Sequence, residues 1–446
     1  MGKTKGGSKP DEVSTKQRRI AKLAQQMPGA TLYSLSHHMD LRWMQEAYRR
    51  TRKDGASGVD GQTAAEFAEA LDDNLQELLD LAKTGRYRAP AVRRVEIPKG
   101  KGKTRPIGIP TFSDKVLQRA VVMLLEPVYE QDFFDCSYGF RPGRSIHDAL
   151  EVLERWIWKR GGGVVLEVDI QSFFDTIDRQ KLRDILRQRV TDGVVVRLVG
   201  KWLNAGVLEG GIMRRAEKGT PQGGVVSPIL ANIYLHEVLD RWWVQQVRPR
   251  LRGDAHMVRY ADDVVMVFTD ETDAQRVKDV LPRRFAKYGL MLHPDKTRIV
   301  PFRKPGPGDG GGGPRGFDFL GFTHHWGRSR RGKWIPMRRT ARDRFSRAVR
   351  GIDQWCRQHR HWKVSEQAKV LTQKLKGHYW AYGITGNSEA LGRFREAVRR
   401  IWHKWLARRS QRGMTWKRFE AVERAHPLPP PIAYRSKFRL AAKPCL

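Results

Sequence analysis

The stretch Met257-Val258-Arg259-Tyr260-Ala261-Asp262-Asp263-Val264-Val265-Met266-Val267-Phe268 sets two apolar runs on either side of two adjacent acids. Strand-like patterning on both sides, with small and acidic residues between, predicts a tight β-hairpin that carries Asp262 and Asp263 at its tip. Side-by-side carboxylates repel, so the pair calls for a cation or a shared proton. The hairpin reads as half of a metal site, and the remaining chain must supply the other half.

The 446 residues hold 84 Lys+Arg against 48 Asp+Glu, a formal charge of +36. That excess goes far beyond what solubility requires and points to a polyanionic partner. No window approaches the roughly 18 consecutive apolar residues of a membrane span, and the N-terminus has no apolar signal core. Nucleic acid is therefore expected rather than an anionic membrane, and the cytoplasm is the expected location. Cys136, Cys356 and Cys445 are odd in number and far apart, which argues against a disulfide framework or a Cys-based zinc site. The length leaves room for a large core and two to four domains.

Taken in order, residues 1–31 are rich in Lys, Gly, Gln and Ser and read as a flexible basic leader, turning helical toward residues 18–26. Leu71, Leu75, Leu78, Leu79 and Leu81 recur at helical spacing. Residues 92–110 predict two strands around Lys99-Gly100-Lys101-Gly102-Lys103-Thr104-Arg105, a basic tip that either clamps phosphates or is simply solvated. Residues 114–129 read as a helix with a wide apolar face. After the compact Ser137-Tyr138-Gly139-Phe140-Arg141-Pro142-Gly143-Arg144-Ser145 loop, a further helix runs through Trp158.

Residues 164–170 have the β-branched character of a buried strand, and the strand ends in Asp169, followed by Gln171-Ser172-Phe173-Phe174-Asp175. Taken alone, such an Asp is more often a turn or capping residue than a ligand. Helices are expected over residues 179–205. The loop Gly219-Thr220-Pro221-Gln222-Gly223-Gly224-Val225-Val226-Ser227-Pro228 lacks the ending of a Walker loop, and no glycine-rich stretch has a Rossmann fingerprint after a strand. It suits close backbone approach to a flat ligand such as a base pair. One apolar helix over 229–243, a helix over 273–288, a strand-turn-strand over 290–300, a flexible loop over 304–316 and strands to Trp334 follow. Residues 341–446 are helical and basic, with 25 Lys+Arg against 7 Asp+Glu. Trp355, Trp362, Trp380, Trp402, Trp405 and Trp416 are interleaved with that charge, and more than half of these rings are expected to be core.

Asp169 and Asp262 lie 93 residues apart, a separation that strand pairing can bring to the centre of one antiparallel sheet, so that three acids converge. Such a cluster suits Mg²⁺, whose ligands are carboxylates, waters and substrate phosphates. Two ions would stabilise the attacking and leaving oxygens of an in-line nucleotidyl transfer.

Tyr260-Ala261-Asp262-Asp263 looks like the catalytic motif of reverse transcriptases. The match continues in order through residues 99–110, 137–145, 169–175, 219–228, 294–297 and 319–322. The chain resembles the group II intron reverse transcriptases, or maturases, over residues 32–446. The resemblance implies an α+β right-hand polymerase with an antiparallel-sheet palm, mixed helical and hairpin fingers and an α-helical thumb. The implied divisions are the leader at 1–31, an N-terminal extension and fingers at 32–160, a palm at 161–337 with a fingers insertion at 180–230, and the thumb or maturase region at 338–446. By position, Asp169 and Asp262 would ligate two Mg²⁺ ions (Mn²⁺ as substitute) with the Ile170 carbonyl, and Asp263 would support the site. Lys99 and Arg105 would hold the triphosphate of a dNTP. Phe174 would exclude a ribose 2′-hydroxyl, Gln222 and Gly223 would line the nascent base pair, and Lys296 would protonate pyrophosphate. Arg399, Arg400, Arg408 and Arg409 would contact nucleic acid.

The implied partners are group II intron RNA, a template-primer duplex and target DNA, in a bacterial ribonucleoprotein. Many relatives carry a C-terminal HNH endonuclease with paired Cys and His, and its motif is missing here, as in the class C lineage. Two other readings stand beside the polymerase: an RNA-binding splicing cofactor with vestigial polymerase activity, and a domesticated enzyme of DNA repair or phage defence.

Overall fold

The computed structural model describes residues 12–435 apart from 101–102, 210–211, 215–222, 307–315, 330 and 410–412, with the backbone alone at 98–100, 103, 209 and 212–214. The chain divides into two compact units, one formed by residues up to 156 with 164–299, the other by 157–163 with residues from 300 onward.

The first unit opens on helices α1 (Glu12–Gln26), α2 (Leu41–Arg50), α3 (Ala64–Ala68) and α4 (Leu71–Thr84). Of the leader expected over 1–31, residues 1–11 lie outside the described residues, and from Glu12 to Gln26 the chain is helical. α1 buries Val13, Ile20 and Ala24, a stripe at helical spacing that short-range composition hides among Lys and Gln. The helix starts follow local chemistry. The Asp40 carboxylate accepts from the Trp43 N–H at 2.9 Å to open α2, and Thr63 with Glu66 forms a capping box at α3.

β1 (Val92–Gly100) and β2 (Lys103–Ile109) form the basic hairpin, paired antiparallel from Arg93↔Ile109 to Pro98↔Thr104. α5 (Phe112–Tyr129) comes next, and its apolar residues are not confined to one face. Val116, Leu117, Ala120, Val121, Met123, Leu124 and Leu125 are all fully buried, so α5 is the central helix of the unit. The Trp43 indole donates to the Ala120 carbonyl at 3.0 Å, fixing α2 against it.

α6 (Ile146–Arg160) leads to β3 (Gly162–Val168), followed by α7 (Phe173–Thr176), α8 (Arg179–Arg189) and α9 (Gly193–Leu203). The short strands β4 (Val207–Glu209) and β5 (Ile212–Arg214) complete a sheet of order β2-β1-β4-β5, with β4 parallel to β1. α10 (Ser227–Leu235) then replaces only the first part of the single helix expected over 229–243. It passes into π-helical turns at His236–Asp240 and Trp243–Val247, whose wider turns break the 3.6-residue period that a sequence reading assumes.

β6 (Ala255–Tyr260), β7 (Asp263–Phe268), α11 (Glu271–Lys287) and β8 (Arg298–Arg303) complete the second sheet, of order β6-β7-β3-β8. β7 pairs antiparallel with β6 on one side and with β3 on the other, from Val164↔Phe268 to Val168↔Val264. Both central strands are apolar and buried nearly throughout, as strands covered on both faces must be.

The second unit contains the three-stranded sheet of β9 (Phe317–Phe319), β10 (Phe322–Arg328) and β11 (Trp334–Thr340). Helices α12 (Arg342–Gln358), α13 (Val364–Tyr382), α14 (Ser388–Ala407) and α15 (Trp416–Ala425) follow, packed around Leu371, Leu375, Tyr379, Phe394, Val398 and Trp402. Of the six tryptophans, Trp402 and Trp405 are buried and Trp355 packs against this core, whereas Trp362, Trp380 and Trp416 are exposed. Half of the six rings, rather than more than half, thus belong to the core. Among the described residues, no helix is long and apolar enough to cross a membrane.

Candidate active site

The hairpin closes on the pair Tyr260↔Asp263, leaving Ala261 and Asp262 as a two-residue turn. A turn this tight needs positive φ at its first position, where glycine is usual. Ala261 takes it at φ 56°, so the turn carries local strain that its surroundings must hold. Asp262 is half-buried in the turn and Asp263 is exposed at the start of β7.

Asp169 follows directly on β3. Because Val168 pairs with Val264, the register sets Asp169 opposite Asp263 and beside the turn. The backbone here is held from the other side: the His293 N–H donates to the Asp169 carbonyl, and the Gln171 N–H to the Met291 carbonyl, both at 2.8 Å. This bridge of Ile170 to Leu292 uses the groups of its neighbours and leaves the Ile170 carbonyl on the side away from Leu292. The same turn returns Lys296, whose Nζ lies 2.8 Å from Asp169 Oδ2. Thr297 Oγ1 accepts from the Asp169 N–H at 3.4 Å.

Among the described residues, no three His, Cys, Asp or Glu side chains come close enough together to hold a metal ion. The strand register nevertheless brings the three acidic positions to one end of the sheet, Asp169 opposite Asp263 and next to the turn of Asp262. Asp263 belongs to the strand and Asp262 to the turn, so the two side chains leave the backbone in different directions. The remaining donors, Asp169, Asp262 and the Ile170 carbonyl, are hard oxygens. They fit Mg²⁺, which commonly takes one or two carboxylates and completes its shell with water and substrate phosphate. The Lys296 ammonium on Asp169 marks where positive charge is called for.

Residues 97–324 match the reverse transcriptase (RNA-dependent DNA polymerase) family. The chain belongs to that family. It is similar to the Escherichia coli K12 protein YkfC, with 35% identity over 324 residues covering 64% of this chain and 84% of that one. It is also similar to the group II intron-encoded protein LtrA of Lactococcus lactis subsp. cremoris, with 42% identity over 194 residues, 43% of this chain and 31% of that protein. The mitochondrial nuclear intron maturase 2 of Arabidopsis thaliana shares 28% over 175 residues, 31% of this chain and 24% of the maturase. By family the chain is an RNA-directed DNA polymerase, among the group II intron reverse transcriptases and maturases.

The other candidate residues of the reverse transcriptase are placed as follows. Arg105 is exposed on β2, and Lys99 lies in β1 with its side chain outside the described atoms. Gln222 lies outside the described residues. Gly223 has φ 116°, and a Cβ there would strike the Gly108 carbonyl oxygen and the Ile107 side chain, so this glycine lies against β2 two to three residues from Arg105. Phe174, in α7, is only 8% exposed, its ring in edge contact with Phe173 at 5.2 Å. The left-handed Ser172 (φ 46°) turns the chain from Asp169 into that helix.

In the second unit the four arginines differ. Arg399 Nε donates to Glu423 at 2.7 Å and its guanidinium covers Trp416 at 5.0 Å, whereas Arg400 is exposed and bonds Glu396 of its own helix at 2.9 Å. Arg408 is exposed beside Trp405, and Arg409 donates to the His361 and Trp362 carbonyls.

Sequence reasoning missed Arg259. It is fully buried, and every one of its side-chain N–H groups is matched. Nε and Nη2 bond the Asp240 carboxylate at 2.8 and 2.6 Å, Nη1 reaches Asn232 Oδ1 at 2.9 Å and the Ala261 carbonyl at 3.0 Å, and Nη2 reaches Ser137 Oγ at 2.7 Å. The available signal is a lone arginine inside a strand of otherwise apolar character, which must find an internal counterion.

Proposed function

We propose that the chain copies RNA into cDNA by divalent-metal-dependent nucleotidyl transfer and acts as a maturase on a group II intron RNA, with a part in its retrohoming into target DNA. The observation that carries this reading is the register that sets Asp169 beside the Asp262 turn on the two central strands of one sheet, with Lys296 on Asp169. In this reading the sheet β6-β7-β3-β8 is the palm, the β1–β2 hairpin belongs to the fingers and α12–α15 form the thumb.

Two Mg²⁺ ions, or Mn²⁺ in their place, would neutralise charge on the attacking 3′-oxygen and the leaving pyrophosphate. Asp169, Asp262 and the Ile170 carbonyl hold them, and Asp263 supports the local field. Lys99 and Arg105 bind the dNTP triphosphate, Gln222 and Gly223 bound the nascent base pair, and Phe174 lies under the sugar. Lys296 is placed to give a proton to the leaving group.

Extension of oligo(dT) on poly(rA) with Mg²⁺ tests the proposal. The wild type should synthesise DNA, Asp262→Asn should abolish synthesis while RNA affinity stays within a few-fold, and Asp263→Asn should cost less. Absence of synthesis by the wild type across salt and metal concentrations would overturn it.

A further inference from the structure

The loop of residues 136–145 has no chemical role in the reading above, yet it runs alongside the acidic hairpin. The Arg259 N–H donates to the Cys136 carbonyl at 2.7 Å and the Tyr138 N–H to the Arg259 carbonyl at 2.8 Å, so Ser137 pairs parallel with Arg259 in a single bridge at the edge of β6. Gly139 follows, and a Cβ there would overlap the Ala261 amide nitrogen. Only a glycine allows the loop to lie flat against the turn that carries Asp262. Asn232 joins the two sides, accepting from Arg259 and donating to the Gly139 carbonyl at 2.7 Å.

Ala261 is therefore held in its left-handed conformation from below, by one guanidinium bond to its carbonyl and by the Gly139 backbone. We propose that Arg259, clamped in a fork by Asp240 and tied to Ser137 and Asn232, is a positioning residue that sets the direction of the Asp262 carboxylate, with Gly139 as its abutment. The inference rests on the polymerase reading only for what the carboxylate binds. The geometry itself is a buried brace under a strained turn. Bidentate bonding with both partners fully buried fixes the arginine to a single orientation. Lysine has neither the fork nor enough donors to replace it. Groups that orient a metal ligand from behind generally tune affinity for the metal by 10- to 100-fold when altered.

The test measures Mn²⁺ binding by electron paramagnetic resonance on the full chain, without substrate, beside primer extension over a Mg²⁺ series. Binding lost in Asp262→Asn identifies the site. Arg259→Lys is expected to weaken that binding, and to raise the Mg²⁺ needed for half-maximal extension, by roughly 10-fold or more, with template-primer affinity unchanged. Adding Ala261→Gly, which removes the strain at φ 56°, should restore part of the loss. Gly139→Ala keeps every side chain of the arginine network and presses on the Tyr260–Ala261 backbone, so it keeps the test open if Arg259→Lys does not fold, and the same weakening is expected. Unchanged metal affinity in folded Arg259→Lys or Gly139→Ala would overturn the proposal. Mn²⁺ binding that responds to these changes in a protein that makes no DNA would overturn the polymerase reading and leave the brace standing.

Discussion

Lys296 Nζ stands 2.8 Å from Asp169 Oδ2, so the carboxylate expected to receive a metal ion already has a cation on it. Both side chains are open to solvent, so screening keeps the pair weak and easily exchanged. A metal entering the site must compete with the ammonium. Lys296→Met is accordingly expected to lower the Mg²⁺ concentration for half-maximal extension while reducing the maximal rate by about 10²-fold, as loss of a general acid does. A Mg²⁺ titration of both enzymes separates the two effects. A lowered rate with an unchanged midpoint would remove the competition, and an unchanged rate would remove the proton transfer.

Phe174 offers little of its ring to solvent, and its packing on Phe173 means that it has two roles to lose. Phe174→Ala should raise ribonucleotide incorporation relative to deoxyribonucleotide by roughly 10-fold or more. It should also cost about 3 kcal/mol of stability by leaving a cavity. Competition between rNTP and dNTP in primer extension, with urea unfolding alongside, reads both. Unchanged sugar discrimination would assign the gate to another ring.

Asp114, at the start of α5, is buried beneath Tyr87, Trp202 and Gln118. Burial pushes its carboxyl up to about 6, even though bonds from Tyr87, Trp202 and Gln118 pull the other way. Since the folded value exceeds the unfolded one, the group contributes stability that is fully present below about pH 4 and lost as pH rises through 6. A difference of about two pH units corresponds to about 3 kcal/mol. The stability of the wild type relative to Asp114→Asn should therefore fall by about that amount between pH 4 and pH 7.5 in urea titrations. A constant gap would show that burial does not hold this proton.

Exposure separates the arginines of the helical unit. Replacing Arg400 and Arg408 by Gln should weaken RNA binding and reduce the slope of log affinity against log salt by about 0.7 to 1 for each phosphate that is no longer neutralised. Arg399→Gln breaks the Glu423 bond and uncovers Trp416, so it should lower the melting temperature with little change in the slope. Equal slopes for all three would count against this surface.

Much of the hairpin is legible in the sequence, because strand character, turn length and the two acids all lie within 12 residues of chain. The strand before Asp169 is legible for the same reason: Val164, Val165, Leu166 and Val168 make a short, nearly continuous apolar run. What supports the turn is not legible. Arg259 finds Asp240 across a π-helical turn that no periodicity anticipates, and Ser137 from 122 residues away. Gly139 gives only the general signal of a glycine, and its meaning appears when Ala261 is seen against it. The arginines of α14 look equivalent in sequence, yet partners such as Glu423 arrive from another helix.

Arg189 ties the N-terminal helix to residues far along the chain. It closes the end of α1 by donating to the carbonyls of Ala24 and Met27 at 2.9 and 2.8 Å, and its guanidinium is fixed in turn by Asp132 at 2.7 Å. The Leu32 N–H joins the Arg189 carbonyl nearby, and the Asp192 carboxylate accepts from the Leu35 and Ser36 N–H groups. During synthesis the first helix emerges long before these anchors exist. The middle of α1 can pack on α5 earlier, where Gln17 donates to the Met123 carbonyl at 3.1 Å, but its end is fixed only once the chain has grown past residue 192. The end of α1 is thus among the last parts of its unit to become fixed, and a ribosome stalled before that point would carry the Ala24 and Met27 carbonyls without the guanidinium that closes them.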